Sequence, residues 1–259
     1  MKVINPHKAL AVILLIGVTA IISCSTEKDA WINRTYHNTT AKYNGFFNAG
    51  EIIKEAMTNY SETRTENYNI IIPVYEYADE IGSKSLYAPM DTAAAKCETV
   101  IGRHSMPSLK KGQFRKTEWC KWIDDNWLTI AKTKYYKKDF AKALKIFQYI
   151  ENHYPIENSY FESILWQAKV LIEMESYDEA EEILSELISN REEQIAETEK
   201  PQKKLKFNEK IKLVFDYEER KTHQLEKPQD IPLNIIQKVY PILADLQIRQ
   251  GRNDLAIGS

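Results

Sequence analysis

Residues 135–155 read "YYKKDFAKALKIFQYIENHYP", and their spacing is that of one helix in a helical hairpin. Phe140 is followed three residues on by a small residue, Ala143, and four further on by a bulky apolar one, Phe147. All three fall on one helical face. A second stretch, "MESYDEAEEILSELIS" (174–189), repeats the pattern as Tyr177, Ala180 and Leu184. Ala143 and Ala180 stand 37 residues apart, and a helix is expected before each stretch, over Glu118–Tyr136 and Tyr160–Glu175. Pro155 closes the first unit, since proline does not continue a helix. The small residue is needed where two helices cross closely, and the aromatic fills the space beside it.

This pattern resembles the tetratricopeptide repeat, a helical hairpin of roughly 34 residues. Trp127 and Ala131 fall where that family places its large and small first-helix residues. The resemblance implies an all-α fold, an array of stacked hairpins. A third unit is expected at the end, where "QIRQGRNDLAIGS" puts Ala256 at the small-residue position, 76 residues beyond Ala180. The chain stops three residues after Ala256, so a fragment or an early-ending version is expected.

Composition agrees with helices. Only 8 glycines and 9 prolines occur among 259 residues, too few for a strand-rich fold with many tight turns. Outward from the repeats, five regions are expected: a lipoprotein signal peptide (1–23), an N-terminal helical region (24–117), two repeats (118–190), a charged degenerate hairpin or spacer (191–230) and an incomplete repeat (231–259). In the second region, residues 31–62 read as two helices broken near Asn48–Gly50. The apolar, β-branched run 67–79 reads as an extended segment packed on the helices. Asp91 is expected to cap a helix from Thr92 to about His104.

The first region carries the anchor. The apolar run Ala9–Ile22 is 14 residues long, short of the roughly 20 that cross a bilayer, and follows Lys2 and Lys8. It ends Ile21-Ile22-Ser23-Cys24, the order of a lipobox, in which the thiol of Cys24 is alkylated by a diacylglyceryl group and the chain is cut before it. Two or three acyl chains hold a protein durably where one does not. Cys97 and Cys120 then remain as one potential disulfide or, the favoured expectation, two buried thiols.

Chemistry is harder to find. His7, His37, His104, His153 and His223 form no metal-spaced pair, and no phosphate loop, GxSxG or CxxC motif occurs. Asp124 and Asp125 are adjacent, and adjacent helical side chains point about 100° apart, against a shared site. Trp119, Trp122 and Trp127 read as core, with sugar stacking as the competing use. No catalytic residue, metal, cofactor or small-molecule substrate is expected, and 35 basic against 37 acidic residues give no sign of nucleic-acid binding. "DTA" (91–93) fits an O-glycosylation pattern at Thr92, which a helix cap explains equally well.

Four stretches together resemble the SprE/PorW lipoproteins of gliding motility and type IX secretion in Bacteroidota: "RTYHNTTAKYNGFFNAGEIIKEA" (34–56), "IIIPVYEYAD" (70–79), "KCETVIGRHSM" (96–106) and "KWIDDNWLTIAKTKYYKKDFAKALKIFQYIENHYP" (121–155). The Tyr43-Asn44-Gly45 element and the His104-Ser105-Met106 turn are more specific than the repeats. The resemblance implies a non-enzymatic outer-membrane lipoprotein facing the periplasm. Its implied role is to link motor and ring components of the secretion apparatus to the translocon, with the lipid as its membrane contact. Tyr43, Asn44, Gly45 and Phe46 are the candidate partner contact. Close packing of Gly45 against 67–79 is the alternative. A BamD-like assembly lipoprotein and a SusD-like glycan-binding lipoprotein are the competing functions.

Overall fold

The computed structural model describes residues 30–63, 82–107, 118–199 and 230–252. Cys24, the 67–79 segment, most of the charged region after Glu199 and Ala256 lie outside the described residues. The described residues are all-α: α1 (Trp31–Thr40), a π-helical turn (Ala41–Phe47), α2 (Asn48–Thr63), α3 (Ser83–His104), α4 (Ile123–Tyr136), α5 (Phe140–His153), α6 (Ser159–Glu173), α7 (Tyr177–Glu199) and α8 (Leu233–Arg249). Helices pack on their neighbours in sequence order, and α6 also touches both α4 and α8. One layer therefore runs α4, α6, α8, with α5 and α7 packed on it.

Turns of three residues force the reversals after α4 and α6. After α4, Lys138 takes φ +61°, after α6 Glu175 takes φ +61°, and after α8 Gly251 takes φ +75°. Each is the left-handed residue of the same cap. The Asp139, Ser176 and Arg252 N–H groups donate to the Lys134, Leu171 and Gln247 carbonyls at 2.9, 2.9 and 2.8 Å. The Lys138, Glu175 and Gly251 N–H groups donate to Tyr135, Ile172 and Ile248 at 2.8, 3.1 and 3.0 Å. This pair of bonds satisfies carbonyls that the helix end would leave open.

The repeat-defining residues occupy the core. Ala131, Ala143, Phe147, Ala180 and Leu184 are fully buried, Trp127, Phe140 and Tyr177 half-buried, and Pro155 exposed after α5. Phe147 stacks on Trp166 at 5.9 Å. One apolar cluster joins α6, α7 and α8 through Leu165, Leu184 and Val239. Another runs from Ala41 and Val100 through Phe147 to Val170, tying the N-terminal helices to the hairpins.

Three expectations are corrected. The chain does not break at Asn48–Gly50. The helix runs on from Trp31 to Thr63, with residues 41–47 widened into a π turn. Asn126 explains the widening: its Nδ2 donates to the Trp122 and Ala41 carbonyls at 2.6 and 3.4 Å, so a side chain enters the helix's backbone ladder. Asp91 is not a cap. It lies inside α3 and accepts from Lys137 Nζ at 2.5 Å, while the exposed Thr92 hydroxyl donates to Ala88 O at 2.9 Å. Pro89 lies inside α3, where the apolar face Leu86, Met90, Ala93, Cys97, Val100 continues across it, and that burial outweighs one lost hydrogen bond. Lastly, α4 begins at Ile123 rather than Glu118, because Glu118 serves a turn.

Candidate interaction surfaces

The Tyr43–Phe46 element divides in two. Gly45 is buried, and a Cβ placed on it would stand 2.2 Å from Asn126 Oδ1 and 3.0 Å from Val100 Cβ and Cγ2. Only glycine permits this approach to α3 and α4. Among the described residues its close neighbours are Val100 and Asn126; the 67–79 segment lies outside them. Phe46 is half-buried against Trp122, with ring centroids 5.2 Å apart. Tyr43 and Asn44 are exposed, and Asn44 lines an open cleft of about 680 Å³ with Thr40, Lys96, Thr99, Arg103 and His104.

Beside that cleft lies a buried polar joint. His37 Nδ1 and His104 Nδ1 are 2.9 Å apart, which requires one ring to donate and the other to accept. Burial first, then His37 and Arg103, hold the His104 pKa below its ordinary value, so the neutral ring is favoured. The Glu118 carboxylate gathers the turn: Ser105 Oγ donates to Oε2 at 2.6 Å, and the N–H groups of Met106, Trp119 and Cys120 converge on Oε1. Asn38 pins the other side, accepting from the Lys121 N–H at 2.8 Å and donating to Arg34 O at 2.7 Å. Sequence reasoning missed this joint, whose histidines are 67 positions apart.

A second ionic array crosses the α4–α6–α8 layer. Glu162 accepts from Lys132 at 3.4 Å, Lys238 at 2.6 Å and Trp166 Nε1 at 3.2 Å. Burial alone would raise the Glu162 pKa, but Lys132 and then Lys238 outweigh it and the value falls. Burial depresses Lys132, and it carries Lys169 down to about 8 despite the opposing charge of Glu162. These groups occupy equivalent repeat positions: Asp125, Glu162 and Lys238 in one register, Lys132, Lys169 and Asp245 in the other, with signs reversed in the last unit. Glu162 of α6 thus holds a lysine from each flanking helix of the layer, Lys132 of α4 and Lys238 of α8. The 37-residue register was the signal that would have found it.

Asp124 is buried and accepts from Ser159 Oγ at 2.6 Å. Burial raises it to about 6, the Ser159 bond opposing, and burial plus the Asp124 charge raises Asp125 to about 7. The two carboxyls feel each other although their side chains diverge. Cys97 and Cys120 are buried in separate clusters and form no disulfide, the Cys120 thiol donating to His37 O at 3.6 Å, and burial drives Cys97 to about 12. Trp119 has Arg34 over its ring at 3.8 Å, and Trp127 meets Tyr149 at 5.2 Å. With Phe46 on Trp122, each of the three indoles has a face covered by the chain itself. Among the described residues, no three His, Cys, Asp or Glu side chains cluster to hold a metal, and no helix is long and apolar enough to cross a membrane. Compared with known protein families and with curated proteins, the chain matches none of them.

Proposed function

We propose that the chain is a non-enzymatic outer-membrane lipoprotein scaffold of the type IX secretion and gliding machinery, anchored through Cys24 and facing the periplasm. Its hairpins are read as tetratricopeptide-like units of an α-solenoid. That finer reading is supported by the recurrence of one cap at Lys138, Glu175 and Gly251, in step with Ala143, Ala180 and Ala256. Stacked hairpins bury a continuous core and leave side chains of one layer available to other proteins.

One observation carries the family reading. The two most family-like elements, Tyr43-Asn44-Gly45 and His104-Ser105-Met106, lie far apart in the chain, and Asn44 and His104 line one cleft. Gly45 sits against Val100, and His37 against His104. The partners are protein components of the secretion apparatus, bridging its periplasmic motor and ring to the translocon. A photoreactive residue at Leu233, exposed at the start of α8, tests this in living cells. Cross-linking to a type IX component is the expected result, and cross-linking only to outer-membrane assembly proteins or to none would overturn the reading.

A further inference from the structure

The N-terminal rod is built inside out. Its inward positions are His37, Ala41, Gly45 and Ala49, all buried and mostly small. Its outward positions are large: Trp31, Ile32, Tyr36, Tyr43 and Phe47 are each between 52% and 78% exposed. Steps of four, seven and four from Ile32 through Tyr36 and Tyr43 to Phe47 keep them on one side of the rod. Thr35 and Thr39 are exposed among them, and the Tyr43 and Phe47 rings meet edge to face at 6.4 Å. An ordinary surface helix turns its apolar side to the core.

Charge narrows the choice of what covers this stripe. From Trp31 to Gly50 the chain carries two basic residues, Arg34 and Lys42, and no Asp or Glu. Lys42 lies 5.3 Å from the Tyr43 ring and so borders the stripe, whereas Arg34 is turned over Trp119 at 3.8 Å. Aromatic and aliphatic groups bordered by a cation with no acid suit a layer of phosphate headgroups above acyl chains. Trp and Tyr favour that depth. Position agrees: Trp31 is seven residues from Cys24, a reach of at most about 25 Å at roughly 3.3–3.6 Å per residue.

We infer that α1 and the π turn lie along the phospholipid headgroup layer, with Ile32, Tyr43 and Phe47 immersed in it and Tyr36 at its edge, its ring against His37 and His104 at 5.2 and 5.7 Å. The inference rests on the lipid-anchor reading above. The lipid then fixes the distance from the membrane and the stripe fixes the orientation, so that α3 to α8 are held on the far side. Asn44, which lines the cleft beside α3, is not part of the immersed set.

The test uses the full chain from residue 24 with Cys24→Ser, which removes the lipid, and vesicles of phosphatidylethanolamine with phosphatidylglycerol. Co-sedimentation is expected, and the triple variant I32S/Y43S/F47S should weaken it by roughly tenfold or more with an unchanged melting temperature. No sedimentation of the parent, or equal sedimentation of the triple variant, overturns the inference. So does a parent that dimerises through the stripe without binding vesicles, which would make the surface a contact between copies. Labelling of the wild-type chain in cells with a palmitate analogue reads the anchor separately: a labelled chain whose stripe ignores vesicles sinks only this inference. An unlabelled chain whose stripe binds vesicles sinks only the anchor.

Discussion

The hairpins from Ile123 to Arg249 and the N-terminal helices from Trp31 to His104 solve the same packing problem with different chemistry. In the hairpins, helices close on alanine, with Ala131, Ala143 and Ala180 fully buried beside Phe147 and Leu184. At these crossings the interface is apolar and tolerant of exchange among similar volumes, and the hairpins' charged groups lie apart from them, across the α4–α6–α8 layer. In the N-terminal region the closest approach falls on Gly45, and polar groups fill the joint: Asn126, the His37–His104 pair and Glu118. Buried polar groups cost stability when unpaired, and Asn126 Oδ1 has no hydrogen-bond partner among the described residues, so such a joint accepts few alternatives. Generic packing holds the array together, and specific packing fixes how the N-terminal rod sits on it.

That contrast can be broken by substitution. Phe147→Ala should cost about 3–5 kcal/mol, because a fully buried ring stacked on Trp166 leaves a cavity between α5 and α6. Urea unfolding followed by circular dichroism checks it. Gly45→Leu should cost on the order of 1–3 kcal/mol, as the side chain collides with Asn126 and Val100. Amide exchange should show the loss concentrated in residues 31–63 and 83–107, and uniform loss across α5 to α7 would erase the distinction between the regions.

Acid should then act on the two regions in opposite senses. The folded state holds His104 below its ordinary 6.5, so its contribution is present above that pH and is lost as pH falls below it. It holds Asp125 above its ordinary 3.8, at about 7, so that contribution is complete below 3.8 and is lost as pH rises to about 7. Relative to wild type, Asp125→Asn should raise the melting temperature at pH 8 by on the order of a few degrees, and the gain should shrink toward pH 5. His104→Gln should be most damaging at pH 8 and less so at pH 5.5. Thermal melts across that range decide, and parallel slopes for both variants would contradict the assignment.

The smallest effect concerns the repeated cap. Lys138 and Glu175 adopt a conformation that glycine occupies without strain, whereas the third cap already has Gly251. Lys138→Gly should stabilise the chain by up to about 1 kcal/mol, the relief of strain exceeding the added freedom of the unfolded chain. A loss of stability would mean that the lysine side chain has a role the cap does not require.

What was legible in the sequence follows the same division. Ala143, Ala180 and their apolar neighbours announce hairpins because spacing along one helix is enough to read them. The caps at Lys138 and Glu175 lack the glycine that would mark them, and only "QGRN" at Gly251 advertises its turn. Asp91 and Asn48–Gly50 mislead because local propensity loses to burial across α3 and to the Asn126 insertion. Glu118 misleads because a good helix former is used instead as an acceptor for a turn. Gly45 was legible as a close approach, but its neighbours Val100 and Asn126 were not, being set by the fold rather than by sequence proximity. The lysine and carboxylate array repeats with the hairpins and was readable in principle.

The central claim, that this anchored helical array serves type IX secretion, is tested most directly by deleting the gene and following a cargo protein of that pathway. Cargo accumulating in the periplasm with loss of surface gliding, both restored by the wild-type chain and not by Cys24→Ala, is the result expected. Unchanged secretion of the cargo in the deletion strain would contradict the claim.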